Sequence, residues 1–325
     1  MSTFGDKVFE FGGVPMGGKF QTEPNSTIWL KASGSDGKDG KKPKNAVLTL
    51  SKAHTLIPAD KNGVVYLVSE SNSAGSTTIR ITAATETWSK DGTHLIGVAS
   101  GGPIGSRARI SNTADAANVS PLMEWSADNG SMQNIHLFYG ENDAGDLGAF
   151  KVSGERNYFR NCHFAGIGNA TQDAADAYSL SLTGDENYFE RCVIGLDTVG
   201  RGTASNSELQ LVGSATATRN IFKDCIFLTY ADAAGHQFVK STGNLSLDRF
   251  LMFDNCSFIN SGVNSGGTTM TEAFDLSTTM GGTVIIKDCA LYGCTEWDAG
   301  DGGDVEIVGA SGIAATSGIG LEPAV

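Results

Sequence analysis

Residues 157–164 read NYFRNCHF, 187–194 NYFERCVI, 220–227 NIFKDCIF, 251–258 LMFDNCSF and 284–291 VIIKDCAL. The consensus is N-x-F-x-x-C-x-F, with apolar replacements in the later copies. Its cysteines, Cys162, Cys192, Cys225, Cys256 and Cys289, are separated by 30, 33, 31 and 33 residues. An earlier copy, SMQNIHL at 131–137, places Ile135 at the cysteine position. A period near 30 residues predicts a solenoid or a propeller rather than a single-core globule.

Parity within each copy decides between the two. Asn157 and Phe159 are two apart and share one strand face, as do Cys162 and Phe164. Phe159 and Cys162 are three apart, which breaks the alternation. Two strands therefore meet at a corner formed by Arg160-Asn161, Glu190-Arg191, Lys223-Asp224, Asp254-Asn255 and Lys287-Asp288. Four of these five pairs end in Asn or Asp, which tolerate a left-handed backbone best after glycine. A further strand precedes each copy: AFKVS at 149–153, YSLSL at 178–182, SELQL at 207–211, QFVK at 237–240 and EAFDL at 272–276. About three short strands and one long loop per coil make an all-β parallel β-helix, right-handed by the crossover preference. A WD- or kelch-type propeller needs four antiparallel strands per repeat, for which these coils lack room. Stacking at ~4.8 Å then predicts an interior ladder of Phe159, Phe189, Phe222, Phe253 and Ile286, a second of the cysteines, and an amide ladder of Asn157, Asn187 and Asn220.

The rest of the chain fits one elongated domain. Its 325 residues carry 23 Lys+Arg against 36 Asp+Glu, a net charge of −13, with 40% hydrophobic residues. That is too apolar for a disordered chain. It is too acidic, without any basic cluster, for a nucleic-acid partner. No run approaches ~18 apolar residues, so no membrane-spanning helix is expected. The N-terminus, MSTFGDKVFEFGG, has no basic segment followed by an apolar one, so a protein made and assembled in a host cytoplasm is expected. The periodic cysteines sit in the most apolar positions and are expected to be reduced core thiols. No His or Cys cluster has zinc-ligand spacing, and no cofactor is expected.

WLKASGSDGKDGKKPKNAVLTLSKAHTLIPADKNGVVYLVS, residues 29–69, resembles the start of many pectate-lyase-like β-helix proteins, as does HLIGVASGG at 94–102. The resemblance implies a G-S-D-G-x-x-G loop leading to a short N-terminal capping helix, about Ala46–Leu56. In enzymes of that superfamily, chemistry sits on the strand before N-x-F and on the loop after C-x-F. Glycosidases need carboxylates about 5–9.5 Å apart. The expected outward positions of that strand here, Lys151, Ser181, Gln210, Val239 and Asp275, include one acid. The loops are more acidic, with Glu141, Asp143, Asp146, Asp173, Asp176, Asp197 and Asp232. They are read as a solvated rim, the alternative being a Ca²⁺ or glycan groove. No catalytic residue and no metal ligand is therefore assigned.

Lesser signals are read blandly. GVPMGGK, from Gly13 to Lys19, lacks the hydroxyl residue of a phosphate-binding loop because Phe20 follows. Asp298, Asp301, Asp304 and Glu306 among glycines are read as a solvated turn, and His136 and His163 as outward surface histidines on neighbouring coils.

The expected domains are an apolar, Gly-rich arm at 1–28, the β-helix at 29–308 and a tail at 309–325 that covers the open end or packs into an oligomer. In the first segment, Phe4, Val8, Phe9, Phe11, Val14, Met16 and Phe20 either fold over the first coil or dock on a neighbouring protein. Docking is expected, because the helix already supplies a cap. Within the superfamily, the chain most resembles β-helix proteins of tailed-phage virions. That resemblance implies a structural capsid decoration (cement) protein binding the major capsid protein, as a homotrimer by analogy. The alternative is a tailspike or tail-associated protein that binds or degrades polysaccharide.

Overall fold

The computed structural model describes residues 26–70, 78–99, 102, 104, 108–113, 119–212, 217–243, 247, 249–276, 281–298 and 305–308, with backbone alone for 10–11, 14–15 and 306–308. It is a parallel β-helix of three sheets. Sheet 1 has ten strands, from Thr27–Leu30 to Val305–Val308, and contains the N-x-F segments. Sheet 2 has eight, from Ile79–Ile81 to Ala290–Tyr292, and contains the C-x-F segments. Sheet 3 also has eight, from Glu86–Trp88 to Cys294–Asp298. The chain visits sheets 1, 2 and 3 in turn, so each strand pairs with its equivalent one coil away.

The in-register ladders follow from this pairing. Phe159, Phe189, Phe222, Phe253 and Ile286 are successive partners in sheet 1 and are fully buried. Their rings stack at centroid distances of 4.7, 4.4 and 5.2 Å. Burial of each phenylalanine stabilises the coil by roughly 1.5–3 kcal/mol. Leu137, Phe164, Ile194, Phe227, Phe258 and Leu291 form the matching ladder in sheet 2.

At the corner between those ladders, Asn134, Asn161, Arg191, Asp224, Asn255 and Asp288 all have φ between 49° and 55°. Just inside it lie the five periodic cysteines; these and Cys294, on sheet 3, are all free and buried. Each periodic thiol lies 3.3–3.5 Å from the carbonyl of the preceding coil's core residue: Met132, Phe159, Phe189, Phe222 and Phe253 in order. A thiol here is a small apolar group that also satisfies an acceptor, which explains why alanine does not stand in its place.

The amide ladder lines the corner between sheets 3 and 1. The Asn157 Nδ2 donates to Asn187 Oδ1 (3.1 Å) and Ala127 O (2.8 Å), and its Oδ1 accepts from Gly130 N (2.8 Å) and Trp125 Nε1 (3.1 Å). Asn187 and Asn220 repeat this one coil on, each accepting the backbone N–H of the asparagine before it (2.9 and 2.7 Å).

The capping helix is shorter than expected, Leu50–Leu56 rather than starting at Ala46. Val47 is used as strand: it bridges Leu30 and donates its N–H to Trp29 O at 2.9 Å. Asp36 of the G-S-D-G loop then accepts from Leu48 N, Thr49 N and Thr49 Oγ1 (2.8, 3.0 and 2.8 Å), and Thr49 caps Lys52 N. Leu50, Ala53 and Ile57 close the end of the core.

Candidate functional site

The outward face of sheet 3 carries two columns of side chains. By register the outer column runs Thr87, Glu124, Lys151, Ser181, Gln210, Lys240, Asp275. Lys240, not Val239, occupies the outward position. Val239 continues the buried Leu209 column, and the apolar neighbours Phe238 and Val239 left strand parity undetermined in the sequence. Both acids of this column meet lysines, Glu124 with Lys151 at 2.9 Å and Asp275 with Lys240 at 3.6 Å. Burial pushes the Glu124 carboxyl up, but hydrogen bonds from Lys151 and Ser153 outweigh it and hold it below the ordinary carboxylate range. No two carboxylates are neighbours in this column, so it offers no acid and base pair for glycoside cleavage.

The inner column runs Ala149, Ser179, Glu208, Phe238, Ala273. Sequence reading passed over Glu208, although its place one step from Gln210 in SELQL made it outward-facing. It lies fully buried beneath the segment that follows the long strand Val193–Arg201. Arg201 Nε approaches Glu208 Oε1 at 3.2 Å, and Ser179 Oγ donates to Oε2 at 2.6 Å. The remaining Arg201 nitrogens donate to Ile167 O, Val199 O and Leu196 O at 3.0, 2.8 and 2.9 Å. Burial alone would raise the Glu208 carboxyl; Arg201, His236 and Ser179 together bring it down to about 2. Burial lowers the His236 imidazole, while the Glu208 carboxylate, 3.7 Å from its Nε2, pulls it up. Its Nδ1 lies 2.5 Å from Asn206 Oδ1 and its Nε2 3.0 Å from Thr229 Oγ1. Nδ1 therefore carries a proton, since an amide oxygen only accepts.

Asp173 completes this assembly. Asn206 Nδ2 donates to its Oδ1, while Gly202 N and Thr203 N donate to Oδ2 at 2.7 and 3.1 Å. The acidic rim is thus partly a set of loop fasteners. Glu141 is buried, accepting from Asn112 Nδ2 (2.8 Å) and Asn142 N (2.9 Å). Asp143 accepts from Gly145 N at 2.8 Å. Asp146 is buried, and burial raises its carboxyl. Asp232 packs over Gly200, where a Cβ would meet its Oδ2. Asp176 is exposed with φ 62°, and Asp197 is half-buried. Among the described residues no three acidic, His or Cys side chains are placed to hold a metal ion.

His136 and His163 are a correction. They do face outward from sheet 2, but they are buried, with rings stacked at 4.6 Å. Arg109 Nε donates to His136 Nδ1 (3.2 Å), and His163 Nε2 meets Gly195 O (2.9 Å). Their neighbours Arg109, Phe138 and Gly195 all belong to sheet 2 strands, so stacking along the sheet encloses positions that coil parity alone assigns to the surface.

The apolar N-terminal residues Phe4, Val8, Phe9, Met16 and Phe20, with the phosphate-loop-like Gly13–Lys19, lie outside the described residues apart from a short backbone pairing of Glu10–Phe11 with Val14–Pro15. Asp301, Asp304 and the tail at 309–325 also lie outside them. Among the described residues no helix is long and apolar enough to cross a membrane.

No protein-family model and no curated protein sequence matches the chain. Several solved structures do. Pectin methylesterase PemA from Erwinia chrysanthemi aligns over 87% of this chain and 90% of that one, at 14% identity and a TM-score of 0.55. Pectate lyase Pel9A aligns over 88% of this chain and 69% of that one, at 14% identity and a TM-score of 0.60. A rhamnogalacturonan lyase aligns over 82% and 68%, at 14% identity and a TM-score of 0.55. The chain has the pectate-lyase-like parallel β-helix fold, and at these identities the likeness concerns the fold alone.

Proposed function

We propose that the chain is a non-catalytic structural protein of a virion, a decoration protein that binds and stabilises a major capsid protein lattice. The observation that carries the non-catalytic part is the state of the outward face of sheet 3. Along the two columns from Thr87 to Asp275, the fully buried acid, Glu208, is sealed against Arg201, and the two accessible acids, Glu124 and Asp275, are paired with lysines. The virion part rests on the apolar N-terminal stretch around Phe4, Phe9, Phe11 and Phe20, which suits docking on a neighbouring protein. Quantitative mass spectrometry of purified particles, with the major capsid protein as internal standard, tests it. A lattice-bound decoration protein is present in hundreds of copies. A few to a few tens of copies, or none, overturns the reading.

A second reading, a polysaccharide-binding or polysaccharide-degrading protein, draws on the names of the fold neighbours and on Glu208 lying beside Ser179, Arg201 and His236. It requires the covering segment to lift and expose a carboxylate that now has every hydrogen bond met. Incubation with pectin-type and host-surface polysaccharides, read by reducing ends and by absorbance of unsaturated products, tests it directly.

A further inference from the structure

Away from sheet 3, at the corner between sheets 1 and 2, lies a recess of about 250 Å³ lined by Gln133, Asn134, Arg160, Asn161 and Arg191. Three consecutive coils build it. Gln133 and Arg160 are register partners on the outward face of sheet 1. Asn134, Asn161 and Arg191 are successive corner residues, and Asn161 Nδ2 donates to Asn134 Oδ1 at 3.1 Å.

Two features separate this recess from ordinary surface. From Asn134 to Asp288 this corner is otherwise Asn or Asp, yet at Arg191 an arginine takes the left-handed backbone, φ 54°, as Arg156 and Arg219 do at the corner between sheets 3 and 1. Among the described residues its guanidinium makes no ion pair and no hydrogen bond. Arg160 has only a long contact, Nε to Glu190 Oε1 at 3.9 Å, and its two terminal nitrogens donate to no described residue. Tyr158 takes part of the Glu190 carboxylate with its own hydroxyl. Two guanidinium forks are therefore open side by side on a chain of net charge −13. Such forks match the two oxygens of a carboxylate or sulfate.

We propose that this recess binds the carboxylate or sulfate group of an acidic sugar. The oxyanion sits between Arg160 and Arg191. The carboxamide of Gln133, which donates to Ser131 Oγ at 3.3 Å, serves a neighbouring hydroxyl, since an amide both donates and accepts. Asn134 is committed to Gly97 O and Ala99 O at 2.9 and 3.2 Å and shapes the floor. Tyr158 stands two residues from Arg160 on the same face, ~7 Å along the strand, and pairs with Tyr188, ring centroids 5.9 Å apart. These half-buried rings offer a flat apolar wall to a sugar ring. A nucleic acid is disfavoured, because tracking a phosphate backbone needs a basic stripe and the surrounding chain is acidic. The site is independent of the virion reading, since it stands on a different face and its chemistry needs no capsid.

The test is a saturation-transfer NMR titration of the full chain with a uronate trisaccharide, its methyl ester and a hexaglutamate peptide. Binding of the uronate at ~1 mM is expected, with the ester and the peptide at least ~10-fold weaker, a difference of about 1.4 kcal/mol. Arg191→Asn restores the corner consensus and keeps the fold, and so does Arg160→Gln at a half-buried outward position. Each is expected to weaken the uronate at least tenfold, with the melting temperature of Arg191→Asn unchanged or raised. Equal uronate affinity in the folded Arg191→Asn and Arg160→Gln variants overturns the proposal. So does an ester that binds as well as the acid, or a peptide that binds where the sugar does not.

Discussion

Two polar stacks run along the helix, one inside its wall and one outside. Asn157, Asn187 and Asn220 are at most 2% exposed, whereas Asn134, Asn161, Arg191, Asp224, Asn255 and Asp288 are half-buried or exposed. Both stacks repeat once per coil and both favour short amide or carboxylate side chains. The inner stack needs asparagine for its hydrogen bonds: each amide serves a backbone N–H and a backbone carbonyl that water cannot reach. The outer stack makes hydrogen bonds at some coils, such as Asn134 Nδ2 to Gly97 O and Asn255 Nδ2 to Asp224 Oδ1. Its common requirement, however, is a residue that accepts a left-handed backbone, so Arg191 is admissible there. Burial, rather than repetition, decides whether a polar side chain is structural or is free to do something else.

The sealed assembly on sheet 3 is the extreme of the buried case, and breaking it gives the largest expected effect. Arg201→Met leaves Glu208 ionised and unpaired in the interior, a loss of about 3–5 kcal/mol in chemical denaturation. Replacing both partners, Arg201→Met with Glu208→Leu, is expected to recover most of that loss, because an apolar pair of similar volume removes the desolvation penalty. A double variant as unstable as the single one would show that the hydrogen bonds of Arg201 to Ile167, Val199 and Leu196 matter more than the charge pair.

The same assembly sets an acid dependence. The folded Glu208 carboxyl lies at about 2, below its ordinary 4.5. Its contribution is therefore fully present above about 4.5 and is lost as the pH falls toward about 2. Stability followed by denaturation across that window should decline in the wild type. In Glu208→Gln the starting stability is lower and the decline shallower. An unchanged slope would assign the acid sensitivity to other carboxylates.

The two stacks are next in size. Asn187→Ala strands Asn157 N and Gly154 O and removes one of the two bonds of Asn157 Nδ2. It is expected to cost about 2–4 kcal/mol, since each buried unmet group costs ~1–3 kcal/mol and the loop relaxes in part. Asp224→Asn in the outer stack keeps both the left-handed preference and the acceptor for Asn255 Nδ2. It is expected to change stability by ~0.5 kcal/mol or less. Urea midpoints of the two variants measured side by side check the contrast.

The fold was legible because every coil restates it. Phe159, Phe189 and Phe222 mark the interior, and the three-residue step to each cysteine marks the corner. Composition could not show that each thiol also meets a carbonyl, since that contact crosses coils. Val239 was assigned outward because QFVK holds two apolar residues in a row, so alternation gave no phase and only pairing with SELQL supplies it. The site was less legible still. Arg201 and Glu208 meet through a loop whose length varies from coil to coil, and the histidines of sheet 2 are enclosed by neighbours on other coils, Arg109 and Gly195. What the repeat fixes could be read directly, while what the insertions bring together required coordinates.

Arg191 is where the two stacks can be compared most sharply, because a single substitution restores the outer pattern. An L-residue pays for a left-handed backbone, and asparagine pays less than arginine by hydrogen-bonding locally. Arg191→Asn is therefore expected to stabilise the chain by about 0.5–1 kcal/mol, raising the melting temperature by ~1–3 °C. Asn161 and Asp224 on the adjoining coils already show that the corner accepts these side chains. Combined with a loss of uronate binding, such a gain would mean that the arginine is kept at the expense of stability, as expected of a residue retained for a ligand. A fall in melting temperature would instead mean that the aliphatic stem of Arg191 packs usefully against the corner. The outer stack would then share the structural role of the inner one.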